Sequence, residues 1–136
     1  MKRRWKEADL QKAQIKYLET RRATVRDVMF CAIPNDAGMY ATRGQQAYRT
    51  MGALRAIGLV PGAPDLIMWM RGRVIHIENK VKGRKPTNEQ DAFGAGLKAL
   101  GHEYHVITAE TPGDAVDQLV LLIGGKALAR GQGRAA

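Results

Sequence analysis

The chain has 136 residues, 45% of them hydrophobic, which is enough for one ordinary domain with a core. It carries 22 Lys and Arg against 13 Asp and Glu, a formal charge of +9, which points to a polyanionic partner. No apolar run reaches the ~18–20 residues that span a membrane, and a single cysteine, Cys31, excludes an intrachain disulfide.

The opening MKRRWKEADLQ lacks the apolar core of a signal peptide. The expected location is therefore the cytoplasm. Trp5 to Thr20 reads as a helix with Ala8, Ile15 and Leu18 at helical spacing. Glu7 and Gln11 lie four apart on one face. Glu7 has two readings, an inward-pointing acid or a first-turn residue favoured by the helix dipole. Val25 to Ile33 reads as a strand that buries Cys31, and Pro34 to Gly38 breaks it. Gln45 to Ile57 reads as a helix stopped by Gly58. Arg43 in the preceding loop and Arg49 on the helix's polar side are either nucleic-acid contacts or solubilising charges.

The stretch PGAPDLIMWMRGRVIHIENKVKGRKPTNEQ, residues 61–90, reads as a β-hairpin turning at Arg71-Gly72. With Met70 and Arg73 flanking the turn, Asp65 falls opposite Glu78. Leu66, Met68, Ile75 and Ile77 then share an apolar face, and Asp65, Ile67, Trp69, His76, Glu78 and Lys80 share the other. Two carboxylates across a ladder repel one another. A divalent cation relieves that repulsion, with Lys80 beside it and the backbone carbonyl of Asn79 within reach.

Such a constellation suits phosphodiester hydrolysis. Mg²⁺ takes oxygen ligands, keeps several waters and activates one of them. Lysine supplies a compact charge for the phosphate or the attacking water. A solvated strand face with an incidental salt bridge is the plainer reading. Lys82, Arg84 and Lys85 form a basic loop after Lys80. His76 is a phosphate contact or a satisfied structural histidine.

Thr87 and Gln90 form a Thr-x-x-Gln capping box for a helix over Asn88–Leu100, whose Gly94 and Gly96 suggest close packing against a strand or a second subunit. Tyr104 to Ile107 reads as a strand. Thr111-Pro112 opens a last helix with Val116, Leu119, Val120 and Ile123 on its apolar side. One domain is expected over 1–123, then a mobile basic tail over 124–136. The order of elements gives an α/β domain with a small mixed sheet flanked by helices.

The string Gly62-Ala63-Pro64-Asp65-Leu66, then Glu78-Asn79-Lys80, then Thr87-Asn88-Glu89-Gln90, resembles the virus-type replication-repair nuclease (VRR-NUC) domain, a branch of the PD-(D/E)XK nucleases. Glu7-x-x-x-Gln11 and Pro34-Asn35 match the family's other signatures in order. The middle of the E-x-K motif is Asn79 where the family favours Leu or Val, which suggests a less deeply buried strand. The resemblance implies a restriction-endonuclease-like core and a Mg²⁺- or Mn²⁺-dependent endonuclease acting on DNA, branched or structured DNA included. It implies Glu7, Asp65 and Glu78 as acidic ligands, Lys80 as catalytic, Gln90 near the site, and a homodimer of the small phage and bacterial kind. The competing class is a non-catalytic nucleic-acid-binding module on the same fold.

Overall fold

A computed structural model describes residues 2–33 and 52–124. The helices are α1 (Glu7–Thr24), α2 (Asn88–Ala99) and α3 (Pro112–Gly124), and the strands are β1 (Met29–Ala32), β2 (Leu66–Met70), β3 (Arg73–Val81) and β4 (Glu103–Ala109). The fold is α/β, with a small mixed sheet of four strands in the order β1-β2-β3-β4 and helices flanking it. Among the described residues no helix is long and apolar enough to cross a membrane.

The chain divides into two compact units. One is drawn from Met1–Met29, Glu78–Lys85 and Val106–Ala136, the other from Phe30–Ile77 and Pro86–His105. Strands β1, β3 and β4 therefore each contribute to both.

In the first unit α1 packs against α3. Acids Glu7 and Asp9 in its first turn and bases Arg21 and Arg22 in its last complement the helix dipole. Its buried residues are Leu10, Gln14 and Leu18, four apart, so one face turns inward. Ala8, expected on that face, is exposed. The helix also runs past Thr20 to Thr24. Arg26 takes the left-handed conformation (φ 62°) that usually falls to glycine after a helix, and both Val25 N–H and Arg26 N–H donate to the Arg21 carbonyl. The Arg21 guanidinium holds Asp27 at 2.6 Å across this turn. The strand expected from Val25 is thereby shortened to Met29–Ala32. Cys31, which belongs to the second unit, is exposed, not buried, because β1 is the edge of the sheet and most of its side chains face outward. Helix α3 starts where expected, with Asp114 N–H donating to Thr111 Oγ1 at 3.1 Å. It buries Ala115, Leu119 and Ile123, while Val120 is exposed and Val116 only half-buried.

In the second unit the hairpin has the expected register, from Leu66↔Ile77 to Met70↔Arg73. Gly72 sits at the turn with φ 70°, which a side chain would resist. Leu66, Met68, Ile75 and Ile77 are all fully buried, and the cross-strand pair Trp69 and Val74 faces out. Gly62 has φ 91° and lies against the backbone of Glu89, where any Cβ would collide. Gly94 of α2 lies against the Tyr104 ring of β4, so its missing side chain makes room for an aromatic of the same chain. A Cβ added at Gly96 would meet nothing within 4 Å beyond its own helix, so no close packing calls for a glycine there. Strand β4 is longer than Tyr104–Ile107. The helix expected over Gln45–Ile57 is described only from Gly52, with residues 52–56 helical. Pro34-Asn35, Arg43, Arg49 and the basic tail lie outside the described residues.

Candidate active site

Strand β3 alternates as far as Ile77 and then stops alternating. Glu78, Asn79 and Lys80 follow as three consecutive buried polar residues, 1%, 0% and 5% exposed. All three belong to the first unit. Burying a carboxylate and an ammonium is unfavourable unless each is compensated.

The backbone between them is pinned from α1. Gln14 Nε2 donates to Asn79 Oδ1 at 2.9 Å, and Asn79 Nδ2 donates back to Gln14 Oε1 at 2.7 Å. Gln14 Nε2 also donates to the Ala115 carbonyl of α3 at 3.3 Å. A reciprocal pair of amides thus ties α1, β3 and α3 at one point, with Glu78 and Lys80 on either side of it. This corrects the expectation that Asn79 marks a less buried strand. It is fully buried, and Gln14 supplies the partner that lets a polar residue stand there in place of Leu or Val.

Glu7 opens α1 with its side chain 27% exposed. Its Oε2 accepts from the Val81 N–H at 3.4 Å, and its Oε1 pairs with Arg84 at 3.4 Å. Glu7 therefore points at the end of β3, and an arginine engages its carboxylate. Lys82 pairs with Glu110 at 3.1 Å, and its own N–H donates to the Ala109 carbonyl. Lys85 is exposed. For the Lys80 ammonium, the described residues show no hydrogen bond or ion pair.

A cavity of about 810 Å³ opens beside this strand end, within the first unit. Glu7, Val81, Lys82 and Arg84 line one part of it, and the basic segment of residues 2–6 lines another.

In the second unit Asp65 directly precedes β2, half-buried, and its carbonyl accepts from Ile33 N–H at 2.9 Å. Gln90 completes the capping box: its Oε1 accepts from Thr87 N–H at 2.8 Å while its own N–H donates to Thr87 Oγ1 at 3.2 Å. His76 Nδ1 lies 2.8 Å from the Glu103 carbonyl, as in a structurally satisfied histidine. Arg73 grips the Glu103 carboxylate through two contacts of 2.8 Å, which holds Glu103 below the usual carboxylate range, with His105 adding to the effect and burial opposing it.

Among the described residues no three His, Cys, Asp or Glu side chains gather as a metal-ligand group. Mg²⁺ does not require one, since one or two carboxylates with waters and phosphate oxygens suffice. Buried Glu78 and the strand carbonyls offer the hard oxygen donors that Mg²⁺ prefers. Glu7, held by Arg84 and Val81, is the poorer ligand. Comparison with protein-family models and with curated protein sequences finds no match for this chain.

Sequence reasoning missed Gln14, because a glutamine inside a helix gives no sign of being buried. It also passed over residues 2–6. The run KRRWK, bases interleaved with an aromatic, is the signal that would have flagged them.

Proposed function

We propose that the chain is a divalent-metal-dependent endonuclease acting on DNA, with a restriction-endonuclease-like core of the VRR-NUC type. Lys80 carries this reading. It is a lysine 95% withdrawn from solvent, two residues from an equally withdrawn Glu78, and no described residue receives its ammonium. An ammonium at the end of a buried stem, with no described residue pairing it, is open to a phosphate that arrives as substrate.

Glu78 would hold the metal, with the Asn79 carbonyl beside it. Asp65 is proposed as the second carboxylate on the strength of the Pro-Asp and Glu-x-Lys sequence pattern. Mg²⁺ or Mn²⁺, when bound, supplies Lewis-acid activation of water and neutralises phosphate charge. Lys80 Nζ donates to a non-bridging phosphate oxygen or orients the attacking water. Gln14 keeps the Glu78–Lys80 backbone fixed through Asn79. Glu7 shapes the strand end and steadies Arg84. Gln90 acts first as a helix cap. The basic charge attracts the strand, and its phosphate contacts carry little sequence information. A homodimer, implied by the same resemblance, belongs to the proposal, and light scattering tests it.

The test incubates single-stranded, duplex, flap and four-way DNA, and RNA, with Mg²⁺, Mn²⁺ or EDTA. The expected result is cleavage of at least one DNA in Mg²⁺ or Mn²⁺ and none in EDTA. Binding without hydrolysis under every metal would overturn the enzyme reading in favour of a non-catalytic nucleic-acid-binding module.

A further inference from the structure

The cavity at the end of β3 is walled by more charge than its own acids can neutralise. Its carboxylates are Glu7 and Glu110, already paired with Arg84 at 3.4 Å and Lys82 at 3.1 Å. Lys2, Arg3, Arg4 and Lys6 remain, and these four form no ion pair among the described residues. Into this cationic wall the segment sets one aromatic, Trp5, half-buried, with the Arg3 guanidinium 4.0 Å from its ring centroid. A run of charge on a surface is ordinarily a solvated face. Here the run lines a cavity and holds a guanidinium over an indole.

That combination has a specific chemistry. Cations follow a phosphate backbone, while indole and guanidinium planes take the exposed face of a nucleobase. In a duplex the base faces are stacked on their neighbours and only the phosphates are offered. An unpaired nucleotide offers both at once. A volume of about 810 Å³ is of the size that small-ligand sites have, roughly 300–1,000 Å³.

We propose that residues 2–6, with Trp5 as the stacking platform, form a pocket for a single-stranded stretch of nucleic acid. For the fate of that strand the proposal rests on the nuclease reading: an unpaired nucleotide on Trp5 feeds its phosphates toward the end of β3. The binding itself does not depend on that reading.

The experiment measures binding in EDTA, so that no metal-dependent cleavage intervenes. The probes are a fluorescein-labelled oligothymidylate of roughly ten nucleotides, a blunt duplex of that length and an abasic oligonucleotide of that length. The expected result is that the oligothymidylate binds roughly 5- to 150-fold more tightly than the abasic strand, the range that one stacked base supplies. It should also bind more tightly than the duplex. Trp5→Leu should bring oligothymidylate down to the abasic level while leaving a salt-sensitive residue of binding from the lysines and arginines. The chain has two tryptophans, Trp5 and Trp69. Trp69→Phe therefore leaves Trp5 as the sole indole, and its fluorescence should be quenched by oligothymidylate and not by the abasic strand. This reads the pocket even if Trp5→Leu folds poorly. Equal binding of all three probes, an unchanged affinity in folded Trp5→Leu, or an unquenched Trp5 would overturn the proposal. Base-dependent binding with no cleavage in Mg²⁺ would uphold the pocket and sink the nuclease reading.

Discussion

Strand β3 is built on two rules. From Arg73 to Ile77 its side chains alternate, with Ile75 and Ile77 fully buried and Val74 exposed, and the segment is half of a hairpin. From Glu78 to Lys80 the alternation gives way to three buried polar residues in succession. The first segment follows from the pleat and the hydrophobic effect alone. The second does not. Two of the three, Glu78 and Lys80, are charged, and charge withdrawn from water is at best a weak contribution to folding, so they are the part of the strand that needs a reason beyond folding. The amide pair of Gln14 and Asn79 shows how such a run is kept in place.

The comparison breaks most sharply on activity. Glu78→Gln keeps the shape of the side chain and removes its charge. Cleavage should fall by roughly 100-fold or more, the usual loss when a group acting on transition-state charge is removed. Urea unfolding of the same variant should show no loss of stability. Retained cleavage would return Glu78 to the structural half of the strand. Next comes stability. Ile75→Ala in the alternating segment should cost about 2–5 kcal/mol in urea unfolding, from lost burial plus the cavity left behind. A loss under ~1 kcal/mol would mean that the hairpin face is not core.

A smaller effect sharpens the role of the amide pair. Gln14→Leu or Asn79→Leu alone strands a buried amide and should cost roughly 1–3 kcal/mol. The double variant should lose less than the sum of the two, and strict additivity in that cycle would deny the pairing. The smallest effect is pH-dependent. Glu103 titrates below its ordinary value because Arg73 favours the carboxylate. The stability it contributes is therefore full above the ordinary glutamate pKa and is lost as pH falls through the depressed one. Arg73→Met should flatten that part of the acid unfolding curve, modestly, since the pair is partly open to solvent. An unchanged acid limb would contradict the assignment.

Much of the fold was legible. The hairpin register followed from Arg71-Gly72 and the alternation around it, and the caps of α2 and α3 followed from Thr87-x-x-Gln90 and Thr111-Pro112. Local chemistry decides these features, and local chemistry is what a sequence displays. The misreadings share a cause. The end of α1 hid because Arg26 occupies a position where glycine would have announced it. Cys31 was placed inside because an apolar run does not reveal that its strand lies on the sheet edge. Of the candidate site, Glu78 and Lys80 were named from spacing, but their burial was not foreseeable. The amide partner of the residue between them, Gln14, lies 65 positions from Asn79. Gln90 turned out to serve the cap that its spacing first suggested.

The most direct test of the central claim is Lys80→Met, read twice. Lys80 is proposed to serve a phosphate and not the fold. Metal-dependent DNA cleavage should therefore fall by roughly 100-fold or more, while the midpoint of thermal unfolding stays level or rises. A variant that cleaves normally and melts earlier would contradict it, and would make Lys80 a structural residue.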